Sequence, residues 1–192
     1  MRDKDFYTST EVVKQQSELS SFKYRDERII GYLSDYIDKY SEKNILDIGE
    51  RSPLTERIKE VFRFRLDNTH GDLDTKIDHS ISGWYDLIIF SHVIEHLFNP
   101  LLALECIKNA MAFDGLLIIC APIKPHYLPW GKGHFHELDE YRFKKLIDRA
   151  GLKIVRWERF RNGPLLADLG IRPILRKLFW KEQSFVVCKL YK

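Results

Sequence analysis

The chain has 192 residues, 44% of them hydrophobic, with 12 Phe, 9 Tyr and 4 Trp: enough to bury one ordinary core, and too apolar for a disordered chain. Its 31 basic and 28 acidic side chains leave a formal net charge of +3, too small to mark a nucleic-acid binder. No apolar stretch approaches the ~20 residues of a membrane span, and residues 1–20 contain no apolar core for a signal peptide, so the expected location is the cytoplasm.

In chain order, Ile29, Ile30, Leu33, Tyr36, Ile37 and Tyr40 recur at spacings of three and four, which predicts a helix over Glu27–Tyr40. Asn44–Gly49 (NILDIG) is a short apolar run stopped by glycine, a buried-strand pattern. Ser52 and Pro53 then read as the N-cap and first position of a helix that places Leu54, Ile58 and Val61 on one face. Val61–Leu66 alternates apolar and basic residues, the pattern of a strand nearer an edge. Trp84–Phe90 predicts a fully buried strand, Pro100–Phe113 a helix, Asp114-Gly115 a turn, and Gly115–Ala121 another buried strand closed by Pro122. Asp139–Ala150 predicts a helix ended by Gly151, and Leu152–Trp157 and Ser184–Leu190 the last two strands. Strand and helix alternate from Asn44 to Phe160, which implies a doubly wound α/β fold with helices on both faces of a mostly parallel sheet. The connection between the last two strands is not helical, which allows an antiparallel final pair. Cys106, Cys120 and Cys188 lie far apart in apolar runs with no C-x-x-C pair, as expected of buried thiols in a reducing compartment.

Open sheets of this kind bind ligands outside the carboxyl ends of their strands, where strand order reverses. The turn Asp47-Ile48-Gly49-Glu50-Arg51-Ser52-Pro53 offers a carboxylate, a glycine for close backbone approach and a helix N-terminus. It has one glycine where a dinucleotide fingerprint has three, and no phosphate-loop G-K-[ST] follows. Asp67 follows the first turn by about 20 residues, the range of a strand-end acid that accepts hydrogen bonds from ribose hydroxyls. Next come Asp72 and Leu73, placed to meet a purine edge.

The third turn, Ser91-His92-Val93-Ile94-Glu95-His96-Leu97, stands inside YDLIIFSHVIEHLFNPLLALECIKNAMAFDGLLIICAP. That segment resembles the central part of the class I S-adenosylmethionine-dependent methyltransferases, small-molecule type, and GHFHELDEYRFKKLIDRAGLKIVRWE resembles their next helix and strand. With NILDIG the similarity covers roughly residues 44–160. The resemblance implies a Rossmann-like sheet of seven strands and S-adenosylmethionine as cofactor. By position it carries over Asp47, Gly49, Asp67 and Asp72 as cofactor contacts, and the expected set adds Glu50, Leu73, Ser91 and His92. The first glycine motif is degenerate: Glu50, Arg51, Ser52 and Pro53 stand where the family has further small residues. Arg51 there either neutralises the cofactor carboxylate or fills its path.

Five of the seven histidines, His92, His96, His126, His134 and His136, fall in segments expected above the sheet. His96, His134 and His136 are the candidate bases for an oxygen or nitrogen acceptor, since neutral imidazole titrates near physiological pH. No H-E-x-x-H occurs and no cysteine joins them, so no metal is expected. The loop around Trp130-Gly131-Lys132-Gly133 has the composition of a cover over a ligand.

Residues 161–181 hold five basic side chains and one acid, a local net charge of +4 that leaves the rest of the chain at −1. Within it, 162–180 mixes Arg and Lys with Leu, Ile, Phe179 and Trp180, the composition of an interfacial helix, a lid or a dimer contact. The expectation is a single domain: N-terminal helices over 1–43, a cofactor-binding core over 44–160, the basic-apolar segment and a last strand over 182–192. Its expected activity is methyl transfer to a small or lipid-linked acceptor, with peripheral contact at the inner membrane surface through 162–180 and no nucleic-acid partner. The alternative is a non-catalytic binding or regulatory protein of the same fold. A nicotinamide oxidoreductase lacks its glycine fingerprint here.

Overall fold

The computed structural model describes residues 20–37, 43–75, 81, 83–123, 134–161 and 182–191. Helix α1 spans Ser20–Ile37, strand β1 Ile45–Asp47, α2 Pro53–Phe62, β2 Asp67–Asn68 and β3 Tyr85–Ser91. A 3₁₀ turn at Ile94–His96 leads to α3 (Pro100–Asn109), β4 (Met111–Ile123), α4 (Glu140–Arg149), β5 (Leu152–Arg161) and β6 (Glu182–Leu190).

The sheet runs β2-β1-β3-β4-β6-β5. Its first four strands are parallel, and β6 pairs antiparallel with both β4 and β5. The described residues form six strands where the resemblance implies seven, in line with the six apolar runs of the sequence.

Successive residues of the central strands point to opposite faces, and both faces are buried. Leu46, Ile88, Phe90, Leu117, Ile119 and Val186 join α3 and α4 in one core. Ile45, Leu87, Ile89, Leu116, Ile118 and Val187 join α1 and α2 in the other. Through α1 the second core takes Ile29, Ile30, Leu33 and Ile37 at the predicted helical spacing. Cys120 and Cys188 are buried as expected, whereas Cys106 is only partly so, and none of the three is in a disulfide. No helix among the described residues is long and apolar enough to cross a membrane.

The predicted caps are present. The Ser52 hydroxyl accepts from Thr55 N, Asp139 accepts from Arg142 N, and Gly151 takes φ +76 after α4. Val61–Leu66 is not a strand: α2 continues to Phe62, Arg63 closes it in the left-handed region at φ 56, and pairing to β1 begins only at Asp67. Val61 is accordingly exposed. Trp84 precedes its strand and is exposed. The Asp114-Gly115 turn is a bulge inside β4, where register against β3 jumps from Tyr85↔Met111 to Leu87↔Leu116. A Cβ on Gly115 would meet Ala112 O at 2.9 Å and Tyr85 O at 3.0 Å, so only glycine closes that bulge.

Candidate functional site

Strand order reverses between β1 and β3, which places a ligand crevice at their carboxyl ends. At the end of β1, Gly49 has φ +114, and a Cβ there would stand 3.1 Å from Val93 Cγ2. Its N–H donates to the Thr69 hydroxyl at 2.7 Å, and its carbonyl accepts from Asn68 Nδ2 at 3.3 Å. The Asp47 carboxyl is buried, accepting from Thr55 Oγ1 at 2.6 Å and Asn68 Nδ2 at 3.3 Å. Burial pushes it up to about 7 against the lowering by Thr55 and Asn68. Asp47 therefore braces the turn into α2. Glu50 is exposed, and Arg51 points away to a double contact with Glu56, its Nη2 2.7 Å from Oε2.

The second turn distributes its acids differently from the sequence pattern. Asp67 is exposed, 3.6 Å from Arg65, while its neighbours Asn68 and Thr69 reach back to the first turn. Asp72 accepts from Asp74 N at 3.0 Å and Thr75 Oγ1 at 3.1 Å, closing a local turn. Leu73 is buried in the core that α3 and α4 cover. Asp74 Oδ1 accepts from Phe98 N at 2.8 Å and Asn99 N at 3.0 Å, fixing the segment that enters α3.

Ser91 ends β3 opposite Cys120, and His92 follows at φ 56, its N–H donating to Cys120 O at 2.8 Å. A non-glycine residue in that region is a strained position of the kind found at binding sites. Burial, with the charge of Arg25, holds the His92 imidazole below its usual value, so it is neutral at pH 7 and donates from Nδ1 to Glu95 Oε1 at 3.2 Å. Burial, the largest single influence, pushes the Glu95 carboxyl up, but the bond from His92, the neighbouring His92 and His96 imidazoles and a backbone hydrogen bond together leave it below its ordinary range.

His96 and His134 come together, their rings edge to face with centroids 4.8 Å apart. His134 Nδ1 is bonded to the buried Glu137. His136 turns aside: its Nε2 lies 3.3 Å from Phe98 O, and Phe135 packs on Phe98 with centroids 4.1 Å apart. His126, Trp130 and the rest of the 124–133 loop, like the segment 162–180, lie outside the described residues.

Sequence reasoning missed Thr55, Asn68, Thr69, Glu95 and Glu137. Glu137 has a local signal, since His134 stands three residues before it; Thr69 has none.

No protein-family model matches the chain, and no curated protein matches it in sequence. Solved structures do. An Archaeoglobus fulgidus S-adenosylmethionine-dependent methyltransferase superposes with a TM-score of 0.62 at 15% identity, covering 87% of this chain and 96% of that one. This is the class I S-adenosylmethionine-dependent methyltransferase fold. The same fold likeness extends to coclaurine N-methyltransferase bound to N-methylheliamine and S-adenosylhomocysteine (TM-score 0.57, 14% identity, 83% of this chain and 72% of that). It extends also to the [4+2]-cyclase SpnF (TM-score 0.59, 12% identity, 85% and 80%). On this chain Gly49 follows β1 and His92 follows β3, the two strands that flank the point where strand order reverses.

Proposed function

We propose that this protein binds S-adenosylmethionine and transfers its methyl group to an oxygen, nitrogen or carbon of a small or lipid-linked acceptor. The observation that carries the reading is the place of Gly49: a positive-φ glycine just after β1, at the point where strand order reverses in a fold shared with methyltransferases. The cofactor fits this turn. Asp47 and Gly49 would hold its methionine part, with Glu50 at the rim. Asp67, Asp72 and Leu73 would serve its ribose and adenine, and Ser91 and His92 would form the facing wall. When bound, S-adenosylmethionine supplies an electrophilic methyl group on a sulfonium.

The chain's task is then alignment and proton handling. His96 and His134 stand where an acceptor loses its proton. His134 is oriented by Glu137, which fixes its Nδ1–H and leaves Nε2 as the accepting nitrogen. His136 Nε2 faces a carbonyl and so carries the proton, which leaves Nδ1 to accept.

The basic-apolar composition of 162–180 supports a lipid-linked acceptor and peripheral contact with an anionic membrane, and three cysteines outside any disulfide suit a cytoplasmic protein. The decisive experiment is calorimetry with S-adenosylmethionine and S-adenosylhomocysteine, followed by methyl transfer to candidate acceptors. Heat with neither cofactor form sinks the reading. Heat without transfer favours the non-catalytic alternative, which Glu50–Pro53 in place of small residues supports.

A further inference from the structure

Above the carboxyl end of β3, two distant segments are stitched together by their backbones. Phe135 N and His136 N both donate to Glu95 O, at 2.8 and 3.1 Å. The stitch brings one ligand atom each from Glu95, His96 and His134 within 4.8 Å of one another. Two further features distinguish the cluster from a surface group of charges. Glu95 is 1% exposed; its Oε1 meets His92, and its Oε2 is buried with no hydrogen-bond partner among the described residues. A buried carboxylate oxygen left without a donor is costly, and a cation satisfies it. His134 is held at Nδ1 by the buried Glu137, the arrangement by which a carboxylate orients an imidazole for ligation through its other nitrogen.

We propose that Glu95, His96 and His134 form a site for one divalent transition-metal ion, bound by two imidazoles and one carboxylate with its other positions open. Two histidines and a carboxylate suit zinc, iron, cobalt or nickel, and such three-ligand sets leave room for water or substrate. Metal bonds of about 2.0–2.2 Å put ligand atoms roughly 3–4 Å apart, so modest side-chain rotations close the site. His96 is exposed, giving the ion a path in from solvent. With an ion bound, His96 and His134 are ligands and no longer bases, and the ion would act as a Lewis acid on an acceptor hydroxyl whose proton leaves to solvent, which makes the acceptor an oxygen nucleophile. That consequence rests on the methyl-transfer reading, whereas metal binding does not.

The test uses untagged, metal-stripped, full-length protein titrated with cobalt(II) chloride and read by visible absorption, with zinc chloride as competitor. We expect one equivalent of cobalt, displaced by one of zinc. His96→Ala and His134→Ala should each weaken uptake at least 100-fold, and Glu137→Gln roughly 10–100-fold by freeing the His134 ring. Circular dichroism and melting curves check that the variants remain folded. Failure of the wild type to take up either ion overturns the proposal, as does undiminished uptake by a folded His96→Ala/His134→Ala double variant. Calorimetry with S-adenosylhomocysteine on the same sample separates the two readings: cofactor heat without metal uptake removes the metal site alone, and metal uptake without cofactor heat removes methyl transfer alone.

Discussion

The Thr69 hydroxyl accepts the Gly49 N–H at 2.7 Å, so the residue after β2 fixes the backbone of the turn after β1. Thr69 is fully buried, and no other bond from the chain to this N–H is present among the described contacts. Thr69→Val keeps the shape and removes the acceptor. We expect it to cost about 1–3 kcal/mol in urea unfolding, the penalty for a buried donor left unmet. Thr69→Ser should restore both stability and S-adenosylhomocysteine affinity. A Val variant as stable as wild type would mean that water replaces the hydroxyl.

Gly49 combines φ +114 with a Cβ position 3.1 Å from Val93 Cγ2. Gly49→Ala should therefore cost roughly 1–3 kcal/mol for backbone strain and weaken cofactor binding beyond what the lower stability explains. Paired with Val93→Ala it regains the packing part and not the backbone part. A double variant with full wild-type stability would show that the backbone conformation carries no strain.

Asp47 gives a pH dependence with a definite sign. Its folded value, about 7, lies above the ordinary 3.8, so between those values the folded protein holds a proton that the unfolded chain has released. Stability from this group is greatest below about pH 4 and declines as pH rises towards 7. About three pKa units correspond to ~4 kcal/mol in full. Asp47→Asn cannot ionise yet still accepts from Thr55, so the wild-type decline between pH 4 and 7 should disappear in the variant. Urea midpoints for both proteins across that range decide it; parallel curves would mean that Asp47 stays ionised.

The Asp67 side chain is exposed and meets only the exposed Arg65 among the described ion pairs, so Asp67→Ala should leave the melting temperature unchanged. If its carboxylate takes the ribose hydroxyls, S-adenosylhomocysteine binding falls by about 1.5–3 kcal/mol, roughly 10–150-fold. Wild-type affinity in the variant would shift the ribose contact towards Asn68 or Asp72.

The sequence exposed what short-range physics encodes. Isoleucine and leucine runs marked β1, β3 and β4, and Ser52, Asp139 and Gly151 marked helix ends, because burial and capping act within a few residues. The fold likeness bears out the doubly wound class. The end of α2 was misread because Phe62 and Phe64 alternate with arginines as a strand would. In the structure Phe62 ends the helix, Arg63 turns left-handed, and the two rings stack at 5.9 Å. The metal candidates were passed over because H-E-x-x-H records ligands on one helix. Here Glu95 and His134 meet through backbone bonds across 39 positions, a proximity that local patterning does not carry.

The last of the described strands, β6, sits between β4 and β5, and among the described residues β5 has no other neighbour. During synthesis, β5 must therefore wait unpaired, and β4 must keep an open edge, until residues 182–190 have left the ribosome. The crevice half built from β1 and β3 can assemble earlier. Ribosome-bound chains stopped before Glu182 should present that edge to chaperones, and release of β6 should be the event that ends their protease sensitivity.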